Sequence, residues 1–524
     1  MAGLPRQLLT FDPVIDLRRV TLNGRYIFSE RFRKALLNHP EVDALWIVGD
    51  AEQNRMMAYA AGLGPFVDKK LRFTDLHDLP DLLKDETFLA VHTCMNQELL
   101  GPQAQVRRLC TGIKVPLTAT LHVLYGTYIP HIAAMMRAGY NEADAVICPS
   151  PSTQIGLQAL LDHLGGDQGF SLVTLPHGID TAKFSPGDRV EARRAIGVSP
   201  DVPILLFVGR LTPFSKLDFS PVLRALKPVL QGREPRPVVM IVGTREDSYI
   251  HHVARQCEAL GIELQTAFGK SEDELVPIYR AADVFLGLSD TMVEMFGLTV
   301  QEAMACGTPC VVSDVGGYRN LAKDQDNALV VSSWMSRPDA NLGELVPFRE
   351  ESESIAELNC SLALDQDRVA QAVRSLLDSP ELGRRLAQKA RQDVLDTMTW
   401  PHVIDRHLAL WRRLWTEAQA LPAPVTPGVG FPFYEGLRSR FTTVLDETSR
   451  YEANASLEEL DAEVLPFLPS TVQSMTSLPT VRLMVAAQGT FTLKDLVARH
   501  GLDSDVAQRA LAWSLRQGLL KVVE

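Results

Sequence analysis

The sequence predicts an α/β protein in which two doubly wound domains face each other across a cleft. Two series of short apolar runs, separated by stretches with helical periodicity, carry this prediction. The first series lies between residues 45 and 175, and the second begins after Pro203. In sheets of this kind ligands bind beyond the carboxyl ends of the strands, so residues that follow a strand are the first candidates for a site.

The first series predicts buried parallel strands at Leu45–Val48, Phe88–Val91, Leu117–Thr120, Ala145–Cys148 and Leu172–Leu175. The second series predicts strands at Ile204–Val208, Val238–Val242, Ile262–Phe268, Val284–Leu286, Cys310–Ser313 and Ala328–Val331. Helices are expected between them at Pro221–Leu230, Glu246–Leu260 and Asp273–Ala281, and after them at Arg368–Leu377 and Glu381–Met398. Four residues fall just after predicted strands and therefore mark a possible site: Gly209, Gly243, Gly269 and Ser289.

The pattern divides the chain into a first domain at 1–185, a second at 186–420, a linker at 421–434 and a mainly helical appendage at 435–524. Helices at Leu493–His500 and Val506–Gln517, followed by a strand after Gly518, resemble a small winged-helix unit. Its second helix offers only Arg509 and Arg516 as basic residues, which is thin for reading DNA. Docking of a peptide or protein, and packing or dimerisation, are the other two interpretations of this appendage.

Composition excludes several classes of protein. The chain has 524 residues, enough for two or three domains, and 46% of them are hydrophobic. The net charge of −12 argues against a role for the whole chain on nucleic acid or on a membrane surface. Seven scattered cysteines without a C-x-x-C pair indicate a reducing compartment. No signal peptide or spanning segment is predicted, so we expect a cytoplasmic location, with a peripheral place at the inner membrane surface as the alternative.

Two carboxylates, Glu294 and Glu302, lie eight positions apart on either side of a short loop, Phe296-Gly297-Leu298. This loop opens a predicted helix that ends at Gly307. A helix N-terminus offers unpaired N–H groups to a diphosphate, and Gly297 lets the ligand approach the backbone. Ionised carboxylates accept hydrogen bonds from sugar hydroxyls. A sugar, a diphosphate and a ribose in a row have the shape of a nucleotide sugar.

This segment resembles the E-x7-E motif of retaining GT-B glycosyltransferases, especially glycosyltransferase family 4, the glycosyl transferases group 1. Three further segments resemble the family in the expected order: Phe207-Val-Gly-Arg210-Leu with Lys216, Pro176-His-Gly-Ile-Asp180, and Ala282-Asp283-Val-Phe-Leu. The ordered set spans roughly residues 15 to 415. It implies that Trp400–Trp415 crosses back to the first domain.

The resemblance assigns roles in the second domain. It implies that Glu294 contacts the nucleotide sugar near its reacting end, that Glu302 binds the ribose hydroxyls, and that Phe296, Gly297 and Leu298 offer backbone N–H groups to the phosphates. Thr299, Gly209, Gly243 and Gly269 complete the expected binding residues, the last two near the base.

Arg210 and Lys216 would neutralise the diphosphate. The family spaces this pair slightly more closely and often has a glycine where Leu217 stands, so Lys216 matches the family less well than Arg210 does, and Lys227 on the next helix is a poor substitute for it. A solvated pair of loop charges is the alternative.

In the first domain, the resemblance places a histidine near the transferred sugar, where His122 ends a predicted strand. A core histidine is the alternative, His131 is a competitor, and His177 is expected to be structural or to line the cleft. Gly24 matches a glycine-rich loop that faces the phosphates, although an ordinary turn before a helix explains it equally well. The basic residues of 31–34 suit a core-facing helix with a solvated basic face, or contact with an acidic membrane.

No D-x-D pair is present, and Cys306 and Cys310 lack the partners of a zinc site, so we expect no metal and no cofactor besides the sugar nucleotide. The expected reaction is transfer of a hexose-type sugar, most favourably from a UDP-sugar, to an unidentified glycan, lipid, small molecule or peptide. Anomeric configuration would be retained by a same-face mechanism. The alternatives are a sugar-nucleotide hydrolase or epimerase of this fold, and a nucleotide-sugar-binding scaffold or sensor that acts through residues 435–524.

Overall fold

A computed structural model describes residues 3–18, 20, 24–95, 102–109, 113–124, 140–165, 169–213, 215–243, 248–336, 356–422, 449–465 and 477–523. The chain forms two compact units. The first unit comprises Met1–Ile47, Met57–Arg72 and Leu83–Pro427. The second comprises Val48–Met56, Phe73–Leu82 and Gly428–Glu524.

The first sheet has seven strands in the order β3-β2-β1-β4-β5-β6-β7. The strands are β1 (Gln7–Thr10), β2 (Ala44–Val48), β3 (Leu71–Thr74), β4 (Ala90–Thr93), β5 (Leu117–Thr120), β6 (Ala145–Cys148) and β7 (Ser171–Thr174). Its helices are α1 (Gly24–Asn38), α2 (Ala51–Ala60), α3 (Leu79–Asp85), α4 (Val106–Leu109) and α5 (Pro151–His163). The predicted bounds of β5 and β6 are confirmed, β4 begins two residues later than predicted, and β1 and β3 were not predicted.

The second sheet has six strands in the order β10-β9-β8-β11-β12-β13. The strands are β8 (Ile204–Val208), β9 (Val238–Gly243), β10 (Glu263–Phe268), β11 (Val284–Gly287), β12 (Cys310–Ser313) and β13 (Leu329–Val331). The helices are α6 (Arg189–Ala195), α7 (Phe219–Leu230), α8 (Ser248–Leu260), α9 (Glu272–Ala281), α10 (Leu298–Ala305) and α11 (Tyr318–Leu321). A two-stranded antiparallel ribbon, β14 (Ser333–Met335) with β15 (Leu362–Leu364), and helices α12 (Gln366–Asp378) and α13 (Pro380–Thr397) follow.

Apolar side chains cover both faces of the second sheet. Alternate residues of β8 enter two different clusters: Leu206 and Val208 pack with residues of α10, and Leu205 and Phe207 pack with residues of α7. This explains why the buried strands read as continuous apolar runs. The paired strands of both sheets run parallel, as in a pair of doubly wound domains.

Strand order reverses between β1 and β4 in the first sheet and between β8 and β11 in the second. At such a switch point the connections leave in opposite directions and open a crevice at the carboxyl ends of the strands. Gly209 and Arg210 follow β8, and Ser289 follows β11 closely, so all three lie at the switch point of the second sheet. The topology therefore places the predicted site residues at the crevice.

The predicted return of the chain to the first domain is confirmed by helix α14 (Trp400–Ala420). Trp411 Nε1 donates a hydrogen bond of 2.9 Å to the Thr118 hydroxyl of β5. Leu410 and Leu414 share an apolar cluster with Ala145 of β6. The helix thus closes one face of the first sheet. None of the helices in the described ranges is both long and apolar enough to cross a membrane.

In the second unit, three antiparallel strands form a small sheet in the order β17-β16-β18. The elements are β16 (Arg450–Ala453), α15 (Leu457–Glu459) continued by a π-helical stretch (Leu460–Val464), α16 (Leu478–Val485), β17 (Phe491–Thr492), α17 (Leu493–His500), α18 (Ser504–Arg516) and β18 (Leu520–Val523). Tyr451, Met484, Leu496 and Leu511 are among its core residues. The predicted helices and final strand are present, β16 and α16 were not predicted, and the winged-helix interpretation stays a prediction.

Candidate functional site

The E-x7-E loop ends in a helix with a free N-terminus. Gly297 precedes α10 with a φ of +111° and provides no side-chain cap. Several other helices are capped by a side chain, from Ser150, Asp188, Asp218, Asp365, Ser379 and Thr399. The first N–H groups of α10 are therefore without a capping side chain, and a helix N-terminus attracts anions. Gly307 beyond the helix has a φ of +74°, the left-handed conformation expected there.

Two glycines that follow β12 support the loop, and the sequence analysis missed them. Gly317 N–H donates to the Glu294 carbonyl over 2.7 Å. A Cβ at Gly316 would lie 2.1 Å from that carbonyl oxygen, and one at Gly317 would lie 2.2 Å from the Met295 oxygen. Neither position has room for a side chain. The signal was a glycine pair just after a buried strand, the place where backbone approaches backbone.

Lys216 and Glu294 are brought together by the fold. Lys216 Nζ lies 2.5 Å from Glu294 Oε2 and 2.7 Å from the Tyr318 hydroxyl. Burial alone would lower the pKa of the Lys216 ammonium, but Glu294 and Tyr318 raise it above its ordinary value. A Cβ at Gly209 would lie 3.3 Å from Lys216 Cε, so that glycine packs beside the lysine. The ammonium stays charged and fixed at the switch point.

Arg210 differs from Lys216 in its surroundings. Its side chain is exposed beyond β8, and it makes no hydrogen bond or ion pair to another described residue. The structure therefore places Arg210 next to Gly209 in the chain without joining it to the Lys216–Glu294 pair.

Glu302 is buried, and its two oxygens have different partners. Tyr279 of α9 donates its hydroxyl to Oε2 over 2.8 Å. Arg31 of α1 donates Nη2 to Oε1 over 2.8 Å and Nε to Glu272 over 2.7 Å. Burial alone would lower the pKa of Arg31, but Glu302 and then Glu272 raise it above its ordinary value. A residue of the first sheet's helices thus contacts the second carboxylate of the motif.

The basic residues of α1 do not all form the solvated face or the membrane contact that the sequence predicts, and for two of them both predictions are wrong. The Arg31 side chain is 12% exposed, and that of Arg33 is 4% exposed. Arg33 pairs with Glu30 and donates to the carbonyls of Asp12 and Pro13. These guanidinium groups are buried because carboxylates and carbonyls surround them.

A chain of aromatic rings connects His122 with the E-x7-E loop. The ring centroids of His122 and His177 are 5.3 Å apart, and those of His177 and Phe296 are 4.6 Å apart. Burial, and then the nearby Arg25, lower the pKa of His122 to about 3, so the ring is neutral. Its Nε2 is buried and has no hydrogen-bond partner in the described structure. A buried polar atom without a partner suits a ligand hydroxyl. His131 lies outside the described residues.

Gly24 begins α1 and faces the loop: a Cβ there would lie 3.7 Å from Leu298 Cδ1. The N-termini of α1 and α10 are therefore close. Thr299 lies in the first turn of α10, next to Tyr318.

Gly243 and Gly269, the residues predicted to lie near the nucleobase, are adjacent in the structure. Gly243 ends β9 and accepts a 3.1 Å hydrogen bond from the Gly269 N–H.

Asp290 is a partly buried carboxyl group beside Lys216 that was not predicted from the sequence. It accepts the Asp218 N–H over 3.1 Å. Its own N–H bonds the Lys216 carbonyl over 3.3 Å. Burial is the main cause that raises the pKa of Asp290 to about 6.

Among the residues that the structure describes, one group of three could hold a metal: His39, Glu41 and Asp405. Their ligand atoms lie within 4.8 Å of one another. Glu41 also pairs with Arg412 over 2.9 Å. The group shares no residue with the predicted site.

Comparison with known proteins finds a matching family model, similar sequences and similar folds. Residues 188–337 match the family described as glycosyl transferases group 1. Solved structures share the GT-B fold over most of the chain. Among them is HepE from Anabaena in complex with UDP and glucose, with a TM-score of 0.54 and 14% identity, covering 77% of this chain and 100% of that one. Sucrose-phosphate synthase from Thermosynechococcus elongatus has a TM-score of 0.54 and 18% identity, covering 79% and 100%.

Group 1 relatives in sequence include D-inositol 3-phosphate glycosyltransferases. That of Actinosynnema mirum is 35% identical over 199 residues, which is 36% of this chain and 46% of the relative. That of Mycolicibacterium smegmatis is 29% identical over 344 residues, which is 62% and 69%. The chain thus spans less than half the length of the first of these relatives. The likeness centres on the domain that carries Lys216, Glu294 and Glu302.

Proposed function

We propose that the protein is a glycosyltransferase that moves a sugar from a nucleoside diphosphate sugar to an acceptor. The observation that carries the proposal is the arrangement of Lys216, Glu294 and the uncapped N-terminus of α10 around one loop. A diphosphate needs positive charge and N–H donors, and a sugar needs acceptors for its hydroxyls. Both kinds of group meet here.

The contacts of Lys216 leave it able to bind a phosphate. An ammonium has three N–H donors, and two of them serve Glu294 and Tyr318. The third is left for a phosphate oxygen. Glu294 uses only Oε2 toward Lys216, so Oε1 can accept from a hydroxyl of the transferred sugar. The same pair would therefore hold the leaving group and the sugar on either side of the bond that breaks.

The mechanism we propose needs no metal and retains the anomeric configuration. Lys216, the exposed Arg210 and the N-terminus of α10 supply the positive charge that stabilises the departing diphosphate. One oxygen of that diphosphate then takes the acceptor's proton on the same face of the sugar. His122 is neutral and bonds the Cys94 backbone, so its unpartnered Nε2 would accept a hydrogen bond from a sugar hydroxyl rather than act as an acid. The domains supply orientation and exclude water.

The first substrates to test follow from the comparisons. HepE of Anabaena is solved with UDP-glucose, which makes UDP-sugars the first choice beside GDP- and ADP-sugars. The relatives' name puts D-inositol 3-phosphate first among acceptors, ahead of glycans, lipids and peptides.

The deciding experiment uses the full chain with this panel, in the presence of EDTA. We expect release of nucleoside diphosphate with one base, dependent on acceptor, and a product whose anomeric configuration matches the donor's. Lys216→Met and Glu294→Gln should each lower turnover about 100-fold or more, the usual cost of losing a transition-state charge contact. Lys227→Met, on the neighbouring helix α7, is the matched control and should keep turnover.

Nucleotide binding without any turnover would favour the scaffold or sensor alternative. Release of nucleoside diphosphate without acceptor, at the full rate, would favour a hydrolase. Normal turnover in Lys216→Met would exclude the proposed role of the lysine.

A further inference from the structure

Glu302, the second carboxylate of the motif, can accept hydrogen bonds from a ribose but cannot donate any. Each ribose hydroxyl carries one hydrogen to donate and an oxygen that accepts. An ionised Glu302 can take the hydrogens but has none to give. A hydroxyl oxygen buried beside it requires a separate N–H or O–H donor, since burying it unpaired is costly.

Arg31 lies beside Glu302 and has a hydrogen-bond donor without a partner in the described structure. Its Nη2 bonds Glu302 and its Nε bonds Glu272, while Nη1 is buried and has no partner in the described structure. The guanidinium lies 5.3 Å from the centre of the Phe184 ring, which fixes its plane. The Arg31 side chain is 12% exposed and that of Glu302 is 6% exposed. Both groups are therefore held in a dry, ordered setting.

An ion pair that serves only to join two parts of the chain does not explain this geometry. Guanidinium groups normally satisfy their N–H groups when they are removed from water, because an unpaired buried charged donor is destabilising. Lys183 Nζ lies 3.1 Å from Glu272, so Glu272 has a cationic partner besides Arg31. The unpartnered Nη1 beside Glu302 thus indicates a group whose acceptor arrives with a ligand.

The placement along α1 agrees with the order of groups in a nucleotide. Gly24, at the start of α1, faces Leu298 at the start of α10. Arg31 lies seven residues further along α1, about 10 Å at the rise of an α-helix. Glu302 lies four residues into α10, about 6 Å. The two helices would therefore pass from the diphosphate at their N-termini to the ribose at Arg31 and Glu302.

We propose that Arg31 is a ribose-binding residue supplied by the first domain, which aims Glu302 and donates Nη1 to a ribose hydroxyl oxygen. This inference rests on the proposed function, because it requires a nucleotide in the cleft. It gives one ribose hydroxyl a donor in addition to the acceptor that Glu302 offers. It also makes ribose recognition depend on contact between the two sheets' helices.

The test compares two ligands that differ only in the ribose hydroxyls. Dissociation constants are measured by calorimetry for whichever of UDP, GDP and ADP the wild-type chain binds most tightly, and for its 2′,3′-dideoxy form. We expect the wild type to lose about 10- to 100-fold in affinity with the dideoxy ligand, the range for hydrogen bonds to charged groups. In Arg31→Gln that ratio should fall below about 3, mainly because the ligand with hydroxyls binds more weakly.

Three comparisons make the result specific. Glu302→Gln should reduce the ratio similarly, and the double variant should be no worse than either single one, since both groups act on the same hydroxyls. Arg31→Lys keeps the charge but lacks the planar fork, so its ratio should be intermediate, and it replaces Arg31→Gln if the latter does not fold. Lys34→Gln, exposed on the same helix, is the matched control and should keep the wild-type ratio.

Each contrary outcome has its own meaning. If Arg31→Gln weakens both ligands equally, or keeps the wild-type ratio, Arg31 does not bind the ribose. If the wild type binds the nucleotide without regard to its hydroxyls, this inference fails while the diphosphate site stands. If the wild type binds none of the three nucleotides, the proposed function fails and the inference fails with it.

Discussion

Gly297 offers the clearest perturbation of the candidate site, because two separate costs fall on any side chain there. The residue has a φ of +111°, which is unfavourable for residues other than glycine by roughly 1–3 kcal/mol. A Cβ would also lie 2.5 Å from two ring carbons of Tyr318. Carbon atoms in contact normally stay about 3.5–4 Å apart, so the ring must move by about 1 Å or more.

The expected loss of stability in Gly297→Ala follows from adding the two costs. Overpacking typically destabilises by about 1–3 kcal/mol, which with the backbone cost gives about 2–6 kcal/mol. Displacing Tyr318 also breaks its 2.7 Å hydrogen bond to Lys216. We therefore expect nucleotide binding to weaken by more than the stability loss alone would cause.

Gly261 provides the matched control for this experiment. It has a φ of +68°, and a Cβ there would meet nothing within 4 Å. Gly261→Ala should therefore show only the backbone cost and normal binding. Urea unfolding gives the two stabilities, and thermal stabilisation by nucleoside diphosphates gives the binding. Equal stability of the two variants, with normal binding in Gly297→Ala, would refute the close packing of the loop against Tyr318.

Three further predictions concern buried titratable groups. Burial lowers the pKa of His407 from 6.5 to about 4, so the unfolded chain takes up its proton first, and this residue alone should lower the free energy of unfolding by about 2 kcal/mol between pH 6.5 and 5. Buried neutral histidines such as His122 add to the slope, so His407→Phe should reduce the slope in urea unfolding by about that amount without removing it, and an unchanged slope would contradict the prediction. Burial raises the pKa of Asp290 from 3.8 to about 6, so the fold favours the protonated form and loses stability as the pH rises between these values. At pH 8 the free energy of unfolding of Asp290→Asn, measured with urea, should exceed that of the wild type by up to about 3 kcal/mol, and at pH 4 the two should be equal. Arg107 is fully buried and pairs through two nitrogens with Asp144, so Arg107→Met should cost about 3–5 kcal/mol by leaving that carboxylate unpaired, whereas a loss under 1 kcal/mol would show that Asp144 finds other partners.

The strands that could be predicted are those whose burial is visible in their own residues. β6, β8 and β12 match their predicted bounds because each is a buried, mainly apolar run, and β5 matches although two of its four buried residues are threonines. β1 was missed, although it pairs with both β2 and β4 near the centre of its sheet. Its four residues, Gln7–Thr10, include two apolar side chains, as many as β5 has, but nothing local signals that neighbours will lie on both sides. Centrality in a sheet is set by pairing and is not visible in a short run.

The candidate site also has features that the sequence predicts and contacts that it does not. The glycines and the loop that opens α10 are local features, and the sequence places them correctly at the ends of strands and at the start of a helix. Tyr318 lies 102 residues from Lys216, and Arg31 lies 271 residues from Glu302. No periodicity or spacing connects residues at such distances. Their roles depend on which helices the two sheets bring together.

The two domains would recognise different parts of a nucleotide sugar. The charged side chains suited to a diphosphate, Lys216 and Arg210, lie within the second sheet's connections together with the N-terminus of α10, and the first domain adds the start of α1 at Gly24. The groups suited to the ribose and the sugar include Arg31 and His122, which come from the first domain. A diphosphate would then be held mainly by the second domain, whereas the ribose and the sugar would also require side chains of the first. Loss of Arg31 should for that reason weaken a nucleotide more than it weakens inorganic pyrophosphate, and equal weakening of both would mean that the first domain only supports the fold.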